Sequence, residues 1–140
     1  MGTDKDMRTV VKERELRHAP EKVWRALTQK HLVEEWLMKS DFKPEVGHRF
    51  DLEAAWGRVS CEVLAVEPHK TLSYSWAAHG LESVVTWTLT KTAAGTHLKM
   101  EQTGFGPDQE QAYRGARAGW EQFLDRLEKV IADLGEEGAQ

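Results

Sequence analysis

Residues 108–134 read DQEQAYRGARAGWEQFLDRLEKVIADL, and this stretch decides the fold. Trp120, Phe123, Leu124, Leu127, Ile131 and Leu134 recur at helical spacing, so one long amphipathic helix must bury a single apolar stripe. An antiparallel sheet just upstream is the natural surface for it. A bent sheet closed over one helix leaves an apolar hollow between the two. That hollow, rather than any catalytic motif, is where the functional reading starts.

Reading backward from the helix, Gly104-Phe105-Gly106-Pro107 marks the expected break between sheet and helix. Thr96 to Thr103 is read as a strand with Leu98 and Met100 inward. Leu81 to Lys91 is rich in β-branched residues and puts Val85, Trp87 and Leu89 on one face. Thr71 to Ala77 sets Leu72, Tyr74 and Trp76 against Ser73 and Ser75. Arg58 to Glu67 is stopped by Pro68, and Phe50 to Trp56 alternates strictly between Gly47 and Gly57. Such short connections require antiparallel neighbours, because parallel strands need crossovers.

The first strand, residues 9–18, carries Val10, Lys12, Arg14, Leu16 and His18 on one face. Its charges predict an edge or half-solvated position. Two short helices follow. One starts at Ala19-Pro20-Glu21 and buries Val23, Trp24 and Leu27; the other runs from His31 to Met38 with Leu32, Trp36 and Leu37 together. The expected fold is α+β: a curved six-stranded antiparallel sheet, two short helices after the first strand, and a long C-terminal helix on the concave face. One domain is expected over residues 9–134, with residues 1–8 and 135–140 as flexible tails.

Composition narrows the function. Nineteen basic residues stand against 23 acidic ones, and no basic run offers a nucleic-acid or anionic-membrane surface. The one cysteine, Cys61, has no internal disulfide partner, which suits a reducing, cytoplasmic setting. No apolar run reaches the roughly 18–20 residues of a membrane span. Six tryptophans are many for 140 residues and imply indoles filling a core or lining a cavity.

Several stretches in order carry a family resemblance: Ala19-Pro20-Glu21-Lys22-Val23-Trp24-Arg25-Ala26-Leu27-Thr28, His31-Leu32 with Trp36, and Gly47 with Phe50. Further on come Glu62-Val63-Leu64, Val66-Glu67-Pro68, Leu72-Ser73-Tyr74-Ser75-Trp76 and Val85-Thr86-Trp87-Thr88-Leu89. Gly95-Thr96-His97-Leu98, Gly104-Phe105, and Gly119-Trp120 leading to Leu124 and Leu127 complete the set. The chain resembles the SRPBCC or START-like superfamily with its helix-grip fold, and within it homologues of the heat-shock-protein-90 ATPase activator. The resemblance implies a ligand cavity, a co-chaperone role, or a cyclase-type enzyme, since the superfamily holds all three.

The leading expectation is a small hydrophobic or lipid-like ligand held between sheet and helix. Trp56, Tyr74, Trp76, Trp87, Met100, Trp120 and Phe123 are its expected walls, and Tyr113 and Arg117 its polar contacts. Arg117 reads more readily as a solvated arginine covering apolar surface with its stem, and Tyr113 equally as a cap on the sheet end. A protein-interaction module acting on a chaperone is the alternative, and would show an exposed patch. An enzyme would need a titratable group in the cavity with a shifted pKa. No catalytic residues, metal or cofactor are assigned: His31 and Glu35 lack a third ligand at recognisable spacing, and Cys61 reads as buried and inert.

Overall fold

The computed structural model describes residues 7–55 and 57–134; Trp56, residues 1–6 of the tail expected at 1–8, and the tail expected at 135–140 lie outside the described residues. The strands are β1 (Arg8–Leu16), β2 (Lys39–Ser40), β3 (Arg49–Ala54), β4 (Gly57–Glu67), β5 (Thr71–Ala78), β6 (Leu81–Lys91) and β7 (Thr96–Phe105). Helices α1 (Pro20–Thr28) and α2 (Lys30–Trp36) separate β1 from β2, and α3 (Glu110–Asp133) follows β7. All strands pair antiparallel in the order β1-β7-β6-β5-β4-β3-β2. The α+β meander closed by a long helix is therefore the observed architecture, with β1 at the edge where its charges place it.

Among the described residues, seven strands replace the six expected. Helix α2 stops at Trp36, two residues early, and the chain turns extended so that Lys39 pairs with Glu53 and Ser40 with Leu52. Two residues are too few to print an alternation, so this edge strand leaves no periodic trace. The opposite error occurs at β7, which runs through the expected breaker to Phe105. Register slips between Arg8 and Thr9, so that Arg8 faces Phe105 and Thr9 faces Thr103. Gly104 is the extra residue of that bulge, at φ 116°, and a Cβ there would sit 2.6 Å from the Glu82 carbonyl oxygen. Glycine bends the strand here without ending it.

Period-two alternation places Leu72, Tyr74 and Trp76 of β5, Val85, Trp87 and Leu89 of β6, and Leu98, Met100 and Gln102 of β7 in the interior. Indoles tie the layers together. Trp36 from α2 stands edge-on to Trp87 at 5.6 Å, and Trp87 in turn to Trp120 of α3 at 5.7 Å. Their N–H groups are paired as well: Trp36 donates to the Ala26 carbonyl at 2.8 Å, Trp87 to the Tyr74 hydroxyl at 2.9 Å. Unpaired, each N–H would cost about 1–3 kcal/mol.

Helix α3 lies over β1 and β7 and against α1 and α2. Its second half is filled by Trp120, Leu124, Leu127, Val130 and Ile131, with Phe123 and Leu134 half-buried. The two inward charges of β1 meet acids on the helix. Lys12 reaches Glu121 at 2.6 Å; Arg14 reaches Glu121 at 2.8 Å, Asp125 at 3.1 Å and Glu128 at 2.5 Å. An edge strand that looks half-solvated in sequence is thus a clasp for the helix.

Candidate functional site

The first half of α3 is built differently from the second. Where the second half points Trp120, Leu124 and Leu127 at the sheet, the first presents Ala112, Gly115, Ala116 and Gly119, at i, i+3, i+4 and i+7. These side chains end at Cβ or have none, so helix and sheet are held apart by the large residues beyond and nothing fills the gap. A hollow of about 290 Å³ results. A Cβ added to Gly115 or Gly119 would meet no atom within 4 Å.

Aromatic rings form its other walls. Trp76 of β5 and Trp120 lie 5.3 Å apart at 51°, and Phe123 stands edge-on to Trp120 at 5.4 Å. Met38, after α2, and Leu81, opening β6, complete the apolar lining. Its one polar side chain is Gln102, which shares the inward parity of Leu98 and Met100 on β7. The Trp120 indole N–H donates to Gln102 Oε1 at 2.7 Å, and Gln102 Nε2 donates to Ser83 Oγ at 2.9 Å. Ser83 Oγ donates onward to the Trp76 carbonyl at 2.9 Å. Among the described residues no ionisable side chain lines the hollow.

Of the residues expected to form the site, Trp76, Trp120 and Phe123 come together here. Tyr74, Trp87 and Met100 pack in the core instead. Tyr74 stands edge-on to Phe50 at 5.7 Å, and burial pushes its phenol well above the ordinary value. Tyr113 caps the end of the sheet, edge-on to Phe105 at 5.6 Å, with Arg8 over its ring at 4.9 Å. Arg117 is exposed and lies 5.9 Å from the same ring. Neither lines the hollow. Trp56 lies outside the described residues. Cys61 is buried, and burial, then the nearby Asp51 charge, pushes its thiol up to about 12.

The residues that sequence reasoning missed are Gln102, Met38, Leu81 and the small face of α3. Two of these signals were present. Strand parity puts Gln102 beside Met100, and the Ala/Gly spacing before Trp120 marks a helix face that cannot fill its own contact. Met38 and Leu81 reach the hollow only through the tertiary fold.

A second hollow of about 340 Å³, lined by Lys30, Glu34, Lys39, Ser40, Asp41, Asp51 and Glu53, is polar and mixed in charge. Lys30 and Glu34 already pair across it at 2.9 Å. Among the described residues no cluster of three or more His, Cys, Asp or Glu is arranged to hold a metal, and no helix is long and apolar enough to cross a membrane.

Similar solved structures agree with this architecture. Protein MLL2253 from Mesorhizobium loti is 62% identical over 90% of this chain and 98% of its own, with a TM-score of 0.87. CalU16 from Micromonospora echinospora is 26% identical over 89% of this chain and 76% of its own, with a TM-score of 0.79. DynU16, a putative protein in the dynemicin biosynthetic locus, is 26% identical over 89% of this chain and 47% of its own, with a TM-score of 0.81. Comparison with curated proteins gives no match. The model of the family described as activator of Hsp90 ATPase homolog 1-like protein matches residues 17–132, and the chain belongs to that family.

Proposed function

We propose that this protein binds a small hydrophobic molecule in the hollow between α3 and the sheet, and that it does so in the cytoplasm. One observation carries the reading. Up to Gly119, α3 lines the 290 Å³ hollow with only alanine and glycine opposite Trp76, and a Cβ added at Gly115 or Gly119 would meet no atom within 4 Å. The hollow opens to solvent along the exposed Ala112 and Gly115, so a ligand can enter, and covering its apolar lining is favourable.

Trp76, Trp120 and Phe123 are the walls against which an apolar ligand packs, and Tyr74, Trp87 and Met100 form the layer that holds those rings rigid. Rigid rings lose little entropy on contact, so the apolar area they cover goes mostly into affinity. Among the described residues the lining carries no titratable side chain, which favours binding over proton transfer as the reading of the hollow. Among the described residues the exposed large hydrophobics are Met7 just before β1, Val11 in β1, Val46 in the loop before β3 and Leu64 in β4. They favour no chaperone-facing patch over the hollow. The position of DynU16 in a biosynthetic locus also suits a small-molecule role.

Naphthalene, titrated against tryptophan fluorescence with a parallel melting curve, is a direct test. Saturable quenching and a rise in melting temperature are expected. An unchanged emission and melting temperature across naphthalene, a sterol and a fatty acid would overturn the reading.

A further inference from the structure

We infer that Gln102 is the polar anchor of the hollow, and that the hollow selects an uncharged aromatic molecule carrying a hydroxyl or carbonyl directed at that carboxamide. The inference rests on the binding reading above and adds to it the polarity of the ligand.

The orientation of the carboxamide follows from its neighbours. An indole N–H can only donate, so the atom 2.7 Å from Trp120 Nε1 must be Gln102 Oε1. The amide nitrogen then faces Ser83 Oγ, whose own proton goes to the Trp76 carbonyl. This relay, from one wall of the hollow through Gln102 to the other, excludes the flipped arrangement. A carboxamide offers two N–H donors and two acceptor positions on oxygen. Trp120 and Ser83 use one of each, and among the described residues nothing takes the remaining N–H or the remaining lone pair.

Gln102 lines the hollow but is only 1% exposed, so bulk water does not satisfy its spare N–H and lone pair, and a ligand meets them where the flanking indoles give way. A hydroxyl can engage both, donating to Oε1 or accepting from Nε2; a carbonyl can accept from Nε2. A hydrocarbon leaves them idle. A carboxylate would be stripped of water in a site with no cation to meet it, which is the costliest arrangement. The rings supply shape selection, and Gln102 supplies polarity.

The experiment uses three probes of one skeleton at pH 7: naphthalene, 2-naphthol and 2-naphthoate, each titrated into the intact chain. The expected order is naphthol tightest, by about tenfold or more over naphthalene, with naphthoate weakest. In Gln102→Met the naphthol advantage should vanish while naphthalene still binds, with a melting curve to confirm folding. If that variant does not fold, the ratios on the unaltered protein decide alone. Equal binding of naphthol and naphthalene would overturn the anchor while leaving the binding reading standing, and so would naphthoate binding as tightly as naphthol. No binding of any probe would overturn both.

Discussion

Replacing Gly119 by leucine should stabilise this protein and abolish ligand binding at once. Gly119 lies inside α3, where glycine costs about 0.8–1.0 kcal/mol relative to alanine and leucine is nearly as good a helix former as alanine. The new Cβ meets nothing within 4 Å, and the rest of the side chain enters an apolar hollow of about 290 Å³ walled by Trp76 and Phe123. Burying a leucine contributes a further ~1.5–3 kcal/mol, less ~0.5–1 kcal/mol of lost rotamer freedom. Partial filling and small shifts of the rings offset some of that, so the net gain is about 1–3 kcal/mol. At the size of this chain that is a rise of roughly 3–10 °C in melting temperature. The milder Gly119→Ala should gain about 1 kcal/mol and leave space for a ligand. Calorimetric melting of the three proteins reads stability, and naphthol titration reads occupancy. A leucine variant that melts lower than the parent would show that the helix has no free volume behind it. One that melts higher but binds as before would show that the ligand sits elsewhere.

Other consequences are equally open to measurement. His97 bridges Glu15 and, at 2.7 Å, Glu13, and those hydrogen bonds hold its pKa above the ordinary imidazole value. The contact contributes fully below about pH 6.5 and is lost as pH rises through the raised value. Proton NMR should place His97 above 6.5, the stability difference from His97→Gln should shrink in alkali, and a titration at or below 6.5 would contradict the bridge. Cys61, with its thiol pushed up to about 12, should resist disulfide reagents at pH 8 and react only at the rate of global opening; fast stoichiometric labelling of the native protein would refute its burial. Arg14→Ala removes three ion pairs between β1 and α3 and should cost about 1–2 kcal/mol, less at high salt. A cost unaffected by 1 M salt would mean that the arginine stem, rather than its charge, holds the helix.

Most of the fold was legible because it rests on two periodicities. The 3.6-residue stripe from Trp120 to Ile131 and the alternations in β5 and β6 read directly as elements, and their order left one plausible assembly. The errors fell where local signals are short or ambiguous. Lys39–Ser40 is too brief to alternate, and Gly104 reads as a breaker when pairing with Arg8 and Thr9 makes it a bulge. The site was less legible. Alternation puts every aromatic face of the strands inward, yet Trp87 and Met100 are fully buried, Trp87 under the rings of Trp36 and Trp120 that α2 and α3 lay over it. The hollow itself is defined by what is small, Ala112 to Gly119, and by one amide in an otherwise apolar series. Absence of side chain gives a weaker pattern than presence, and only the fold shows which face it lies on.

A crystal of this protein soaked with 2-naphthol provides the most direct measurement. A planar ligand is expected among Trp76, Trp120 and Phe123, with its oxygen within hydrogen-bond distance of the Gln102 carboxamide. A saturating soak that leaves that space empty, or places the ring on the outer surface of the sheet, would contradict binding in the hollow.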